Sequence, residues 1–122
     1  MRVAILGVGQ TSYERKKGIS IDELVFEATK NALEDSGLNL REIESVVTAG
    51  SDGLDGRAIS NMTVSGSCGA YLKDEIKVSD GGIYGLVLGY LMVSSGLFGN
   101  SLVVSWTKAS EVSSDTVGNL SF

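Results

Sequence analysis

The stretch from Gly81 to Asn100 contains no charged residue, and this run constrains the fold more than any other part of the sequence. Its apolar side chains surround a predicted helix, about Ile83 to Gly96, instead of forming one stripe along it. Such a pattern is typical of a helix that is buried on nearly every side. We therefore expect the rest of the molecule to wrap this helix.

Strands are predicted on both sides of the helix. The first, Ile76–Ser79, leads into a tight turn at Gly81-Gly82, and the second, Ser101–Trp106, follows the helix. Gly85 and Gly89 are four residues apart and so share one helix face, where we expect another backbone to approach closely.

A membrane-spanning helix is the alternative interpretation of this run. A bilayer span takes about 20 apolar residues, with about 17 near the lower limit, and the run reaches this length only if its glycines, serines and Tyr84 are counted. Predicted strands flank it, and no cluster of lysine and arginine borders it as a topology signal would. The sequence favours a buried helix.

Composition excludes several classes of function. A chain of 122 residues with a net charge of −5 predicts one domain, residues 1–122, and argues against nucleic-acid binding. The absence of histidine and the single cysteine, Cys68, exclude a disulfide framework and a zinc site of the usual Cys/His type. No signal-peptide pattern opens the chain, so we expect a cytoplasmic protein without a membrane association.

The N-terminal region predicts a βαβ unit. Arg2–Gly7 is an apolar run typical of a strand, and Gly7-Val8-Gly9 ends it as a turn, because the third glycine of a dinucleotide-binding fingerprint is missing. A helix follows, and Ser45–Ala49 is the next strand. Two strands joined by a helix within one sheet are expected to pair in parallel through a right-handed crossover.

The predicted helix of this unit has signals at both ends. Ser20 followed by Glu23 matches a capping box, and Gly37 suits the position just after the last turn. Between them, apolar residues recur at helical spacing: Leu24, Val25, Ala28, Ala32 and Leu33.

The segment Gly50–Asp74 is rich in glycine, serine and aspartate, with a weak helical pattern from Ala58 to Val64 and a loop or helix end at Ser65–Gly69. Cys68 lies here. With no histidine in the chain to activate it, we interpret Cys68 as a small structural residue. The tail Thr107–Phe122 is polar and stops as though the fold continued elsewhere.

Seven stretches of the sequence, in this order, match the pattern of a known family: Val3–Thr11, Leu24–Ala28, Ala32–Leu38, Ile43–Val47, Ser95-Gly96, Leu102–Val104 and Lys108–Glu111. With the order of the predicted elements, they resemble the N-terminal part of the thiolase superfamily, especially its sterol-carrier-protein-type branch, also described as lipid-transfer-protein-like or acetyl-CoA acetyltransferase-like. The resemblance covers nearly the whole chain but only about the first third of a complete thiolase. It implies an α/β thiolase-like half-fold with a mostly parallel sheet around a buried central helix.

One departure from the family decides the expected chemistry. In thiolases the nucleophilic cysteine lies at the N-terminus of the buried helix, where the helix dipole favours a thiolate. The resemblance places Gly82 at that position, so no catalytic residue is carried over. The chain also lacks the histidines and the second cysteine that thiolases supply from their C-terminal half. Acyl transfer by a Cys–His mechanism is therefore excluded for this polypeptide alone.

A subset of this branch lacks the cysteine and has a Gly-Gly turn at the same place. Its members include aldolases that cleave β-hydroxyacyl-CoA thioesters beside a small zinc-ribbon/OB-fold partner. The resemblance thus implies a CoA thioester as the substrate, with no cofactor or metal. At the helix N-terminus, the N–H groups of Gly81 and Gly82 could bind a thioester carbonyl or oxyanion, or the glycines could simply form a tight turn.

Three hypotheses follow. In the first, the chain is a subunit or fragment that acts in acyl-CoA carbon–carbon chemistry, of thiolase or retro-aldol type, only when assembled with itself or with a complementary thiolase-like chain. In the second, it is a non-catalytic thiolase-fold module for binding or dimerisation. In the third, it is a standalone enzyme that uses Cys68, Asp80 or Tyr84, although an aspartate beside a helix N-terminus ionises readily and suits a general acid poorly.

Overall fold

The computed structural model describes residues 1–14, 18–56, 59–79 and 81–108. The helices and strands within these ranges, in chain order, are α1 (Ile21–Ser36), β1 (Ser45–Ala49), α2 (Asp52–Asp55), α3 (Asn61–Val64), β2 (Asp74–Val78), α4 (Gly82–Ser94) and β3 (Ser101–Ser105), with a single 3₁₀ turn at Leu40–Glu42.

The three strands form one parallel sheet in the order β2-β1-β3. Ser45 is opposite Asp74 on one side and Ser101 on the other. All five residues of β1 are buried, as expected for a central strand of a parallel sheet that is covered on both faces. The predicted α/β class with a parallel sheet is confirmed.

Helices cover both faces of the sheet. On one face, Val46, Leu102 and Val104 pack in a core cluster with side chains of α1 and α3, among them Val25 and Val64. On the other face lies α4, close to Val47, Ala49 and Val103. The molecule is therefore layered as helix, sheet and helix, and the sheet separates α4 from α1 and α3.

Helix α1 begins and ends where its sequence predicts. The Ser20 side chain accepts a hydrogen bond from the backbone N–H of Glu23, and the Glu23 carboxylate accepts one from the N–H of Ser20, which completes the capping box. Gly37 ends the helix in the left-handed region, with φ of 73°, a conformation that glycine adopts without steric cost.

The predicted strand at Arg2–Gly7 is wrong. Residues 2–9, here called the N-terminal segment, have no regular secondary structure and lie against α1. β2 and β3 occupy the two edges of β1. No edge of β1 is therefore free for the predicted pairing with Arg2–Gly7. No βαβ unit forms there.

Gly7 and Gly9 are the reason that this segment lies so close to α1. A Cβ atom at Gly9 would be 2.2 Å from the carbonyl oxygen of Ala28, and one at Gly7 would be 2.5 Å from the backbone nitrogen of Ser36. The backbone N–H of Val8 also donates to the Asp35 carboxylate at 2.8 Å. The two glycines thus serve backbone contact with a helix, and the prediction of a turn leaving a buried strand is wrong.

The central elements differ from their predicted bounds by one to two residues, as element ends often do. The predicted strand Ile76–Ser79 is observed as β2 and the predicted helix Ile83–Gly96 as α4. Between β1 and β2, the predicted helical pattern is confirmed only for Asn61–Val64, whereas Ala58 lies outside the described residues. Helix α2 was not predicted.

Within the described residues, other parts of the chain cover helix α4 on one side and leave its other side exposed. Its buried residues are Gly85, Gly89 and Met92. The two glycines do allow a close approach, but side-chain atoms of β1 and β3 make it, and the predicted backbone contact is wrong. Its other face is apolar and 43 to 65% exposed, so burial on nearly every side is wrong for the described residues. The exposed residues are Ile83, Tyr84, Leu86, Val87, Tyr90 and Leu91. Within the described ranges, none of the helices has the length and hydropathy needed to cross a bilayer.

Candidate functional site

The turn predicted at Gly81-Gly82 is the start of α4. Gly81 is the N-cap residue in an extended conformation (φ −66°, ψ 164°), and its carbonyl accepts the N–H of Tyr84 at 3.1 Å. The N–H groups of Gly82 and Ile83 have no hydrogen-bond partner among the described residues. Such first-turn donors, at the positive end of the helix dipole, can bind an anion or a polarised carbonyl oxygen.

Packing against β3 explains why residue 82 has no side chain. A Cβ atom at Gly82 would lie 2.9 Å from both Cβ and Oγ of Ser105, closer than real contacts allow. At Gly81, by contrast, nothing lies within 4 Å of such an atom. The position at which the resemblance expects a nucleophile is therefore closed to a side chain by the end of β3.

Cys68 is buried in the core on the face of the sheet opposite α4. Desolvation, and then the negative charge of Glu75, raise the pKa of Cys68 to about 11. Its thiol donates to the carbonyl of Ser65 at 3.5 Å. Because the thiolate is the reactive form, Cys68 is not suited to be a nucleophile, and its interpretation as a structural residue is confirmed.

We expect Cys68 to resist alkylation in the folded protein. Iodoacetamide at pH 8 should modify it at least about 100-fold more slowly in buffer than in urea, because folding both buries the thiol and raises its pKa. Mass spectrometry of samples quenched over time gives the two rates. Equal rates would contradict the burial of Cys68, and the Cys68→Ala variant, with no thiol, gives the background.

The other residues of the standalone-enzyme hypothesis do not join Cys68. Tyr84 is exposed on the outer face of α4, across the sheet from the thiol. Asp80 lies outside the described residues. Because Cys68 and Tyr84 are on opposite faces of the sheet, they cannot act on the same substrate atom.

Two polar groups that the sequence did not single out hold α2 and α3 to the sheet. The Glu75 carboxylate accepts hydrogen bonds from Thr48 at 3.2 Å, Asn61 at 3.2 Å and Ser65 at 2.9 Å. Asp52 pairs with Lys77 and accepts the backbone N–H groups of Ile59 and Ser60. The available signal was the alternation of Glu75 and Lys77 along β2, since alternate residues of a strand face the same side of the sheet. Among the described residues, no group of three or more metal-ligating side chains occurs.

Asp52 makes the stability of this region depend on pH. The hydrogen bond from Lys77, followed by those from Ser60 and Ile59, holds the pKa of Asp52 well below its usual range. In the unfolded chain the pKa is ordinary, so the folded state binds fewer protons at mildly acidic pH. The stabilisation from Asp52 is therefore complete above about pH 5 and is lost as pH falls below about 4.

We expect Asp52→Asn to reduce the loss of stability between pH 7 and pH 3, because it removes this titration. The change in urea midpoint across that range is the measurement. Glu34→Gln is the matched control, since Glu34 pairs with Lys30 at 3.7 Å in an exposed ion pair. An equal pH dependence in wild type and Asp52→Asn would contradict the role of Asp52.

The sequence matches no protein-family profile and no curated protein. Among solved structures, the chain is similar to the crystal structure of 3-oxoacyl-[acyl-carrier-protein] synthase III from Aquifex aeolicus VF5, with a TM-score of 0.65 and 25% sequence identity. The fold is thiolase-like. The match includes 78% of this chain but only 32% of the synthase, so the chain spans about a third of that protein's length. This likeness confirms the thiolase-like half-fold; it does not support the sterol-carrier-protein-type branch over others.

Proposed function

We propose that the chain acts in acyl-CoA carbon–carbon chemistry, of thiolase or retro-aldol type, as part of an assembly with a complementary thiolase-like chain. The observation that carries this proposal is the start of α4. There, the N–H groups of Gly82 and Ile83 have no hydrogen-bond partner among the described residues, whereas the sequence pointed to those of Gly81 and Gly82. They lie at the N-terminus of a helix whose outer face is apolar and exposed. The carbonyl oxygen of a thioester could accept hydrogen bonds from these N–H groups. Assembly with another chain would cover the apolar face.

Three further observations agree with this proposal. The similar solved structure is a 3-oxoacyl-[acyl-carrier-protein] synthase, and this chain spans 32% of it. The apolar outer face of α4 resembles surface that proteins normally place in an interface. The missing histidines and the glycine at position 82 mean that the complementary chain supplies the acid, the base and any nucleophile. The substrate class is then a CoA thioester, bound without a cofactor, in the cytoplasm.

The partner is proposed to be a thiolase-like chain, with a second copy of this chain or a small zinc-ribbon/OB-fold protein as further members of the assembly. A non-catalytic module for binding or dimerisation is the second candidate function. The contact between Gly82 and Ser105 favours it, because this packing leaves no room for a nucleophile at the family's catalytic position.

The test is the native mass of the full chain, expressed alone and together with the products of neighbouring genes. A larger complex that forms only with a thiolase-like neighbour, and that consumes CoA thioesters, is the expected result. A folded monomer or self-dimer that is unaffected by its neighbours would overturn the proposal and favour the binding module.

A charge on the outer face of α4 provides a matched pair of variants. Leu91→Lys, on that face, should abolish the complex while leaving the chain folded. Tyr71→Lys, at an exposed site in the loop before β2, should leave the complex intact. Equal effects of the two variants would place the interface elsewhere.

A further inference from the structure

Asp55, the last residue of α2, has a buried carboxylate that is only half satisfied. The residue is 4% exposed. One carboxylate oxygen accepts the indole N–H of Trp106 at 2.7 Å, and the other has no hydrogen-bond partner among the described residues. A buried acceptor without a partner lowers stability. Packing of the core alone therefore does not explain why an aspartate lies here.

Trp106 ties the end of β3 to the end of β1. It directly follows β3, and its backbone N–H donates to the carbonyl of Ala49, the last residue of β1, at 3.1 Å. Its indole ring lies on Gly50, where a Cβ atom would be 2.6 Å from Cε2 of the ring. The hydrogen bond to Asp55 therefore holds a large side chain that contacts the ends of both strands.

Ser105 lies on the other face of the sheet, because successive residues of a strand face opposite sides. The Trp106 ring belongs to the core cluster with α1 and α3, whereas the Ser105 side chain lies beside the start of α4. Its Oγ is 2.9 Å from the position that a Cβ atom of Gly82 would take, close to the place of the nucleophile that the chain lacks. Ser105 is exposed, and its hydroxyl has no hydrogen-bond partner among the described residues.

We propose that Asp55 is a positioning residue for the candidate site. Through Trp106 it fixes the end of β3, so that the Ser105 hydroxyl lies beside the two N–H groups at the start of α4. The hydroxyl then adds a third donor for the carbonyl oxygen of a thioester, and donors fixed in advance are what stabilise an oxyanion. This inference rests on the proposed function, because it assumes a thioester as the ligand.

The geometry suits Ser105 as a hydrogen-bond donor and not as a nucleophile. A serine hydroxyl becomes a nucleophile when a neighbouring base removes its proton, and the chain contains no histidine. The Asp55 carboxylate cannot serve as that base, because it lies on the opposite face of the sheet, bonded to Trp106. A donor, in contrast, needs only a fixed position.

The alternative is that Asp55 and Trp106 only stabilise the core. Stability does not separate the two roles, since replacing a buried polar pair by apolar residues is often neutral or stabilising. The separation needs a measurement at the start of α4, on the other face of the sheet.

The test replaces the Ser105 hydroxyl by a thiol, whose reactivity reports its surroundings without a ligand. Ser105→Cys is made in the full chain with Cys68→Ala, and mass spectrometry follows its modification by iodoacetamide as a function of pH. Because a thiolate beside helix N-terminal N–H groups is stabilised, the midpoint should lie at least about one pH unit below the ordinary thiol value of about 8.5. Ser101→Cys, at the other end of β3, is the matched control and should show no lowering.

Asp55→Leu, added to Ser105→Cys, should raise the midpoint back to about the ordinary value, because the end of β3 is no longer fixed. Asp55→Asn keeps an oxygen for the indole N–H and should leave the midpoint low. Removal of a negative charge would by itself lower the pKa of a nearby thiol, so a rise reports geometry. Asp55→Leu combined with Trp106→Phe leaves no polar group unpaired and should give the same rise in a folded chain, as checked by urea unfolding.

Two results would overturn the inference. An ordinary midpoint for Ser105→Cys in the otherwise intact chain would show that position 105 does not lie beside the N–H groups. A low midpoint that persists in both variants without the bond between Asp55 and Trp106 would show that Asp55 does not position the site.

The outcome is separable from that of the proposed function. A low midpoint that depends on Asp55, in a chain that has no complementary partner, would support the inference and overturn the proposed assembly. In a complex that consumes CoA thioesters, Ser105→Ala should slow the reaction at least about threefold, as expected for the loss of one hydrogen bond. An unchanged rate would retain the proposed function and overturn the role of Ser105.

Discussion

Gly89→Ala is expected to lower the free energy of unfolding by about 1 to 2 kcal/mol, within the usual range of about 1 to 3 kcal/mol for an overpacked core. Two effects of opposite sign compete. Alanine stabilises a helix interior by about 0.5 to 1 kcal/mol relative to glycine, but its Cβ atom would lie 2.5 Å from Cγ2 of Val103. Valine is stiff at χ1 and cannot turn aside freely, so the steric effect is the larger one.

A double-mutant cycle with Val103→Ala isolates this contact. Urea unfolding should show that Gly89→Ala is less harmful, or even stabilising, when Val103 is already alanine, with a coupling energy of about 1 kcal/mol or more. Gly81→Ala is the control, because Gly81 has an ordinary φ of −66° and open space around it. Additive effects of the two substitutions would contradict the packing of α4 on β3 described above.

Gly82→Cys, which would restore the nucleophile expected from the thiolase resemblance, should destabilise the protein by about 1 to 3 kcal/mol. The cause is Ser105, whose Cβ and Oγ lie 2.9 Å from the position of the new Cβ. Ser105→Gly removes both atoms, so the double variant should recover much of the stability. Urea unfolding of the wild type, the two single variants and the double variant provides the measurement.

The double variant also tests the electrostatics of the helix start. The introduced thiol would lie at a helix N-terminus, where thiol pKa values are lowered, whereas Cys68 is buried with a raised pKa. At pH 7, iodoacetamide should therefore modify the new thiol at least about 100-fold faster than Cys68. Similar rates at the two thiols would show that the N–H groups at the start of α4 do not favour negative charge. Adding Cys68→Ala to the double variant removes the other thiol, so a fast reaction that persists belongs to the thiol introduced at position 82.

The sequence predicted the elements whose signals are local. The capping box of Ser20 and Glu23 and the terminal Gly37 define α1 within a few residues of chain. The uncharged run around α4 and the β-branched strands at 45–49 and 101–105 were equally readable, because propensity and hydrophobic pattern agree there. The parallel sheet follows from the lengths of the connections between these strands.

The N-terminal segment was predicted wrongly because its conformation depends on residues that are distant in the sequence. Val3–Leu6 has the composition of a strand, but the edges of β1 are taken by strands that occur much later in the chain. The close contacts of Gly7 and Gly9 with α1 cannot be distinguished in the sequence from a glycine-rich turn. Both features are tertiary, so no local pattern reports them.

The candidate site was located by resemblance, but its physical basis was not. The glycine pair at 81 and 82 marked the start of α4 in the sequence. Only Gly82 is sterically required, because a side chain there would contact Ser105 at the end of β3, whereas the space around Gly81 is open. The distinction needed the packing of α4 on β3, which is set by residues more than twenty positions apart.

The position of β1 between β2 and β3 has a consequence for how the protein is made. During synthesis, β1 leaves the ribosome before either of the strands that pair with it. Its buried residues Val46 and Val47 do not have a strand on each side until β3 has also been made. Sheets that depend on such non-local pairing form late and expose apolar surface meanwhile. A chain ending at Asn100 should therefore lack cooperative urea unfolding, and a sharp transition in it would show that β1 and β2 fold without β3.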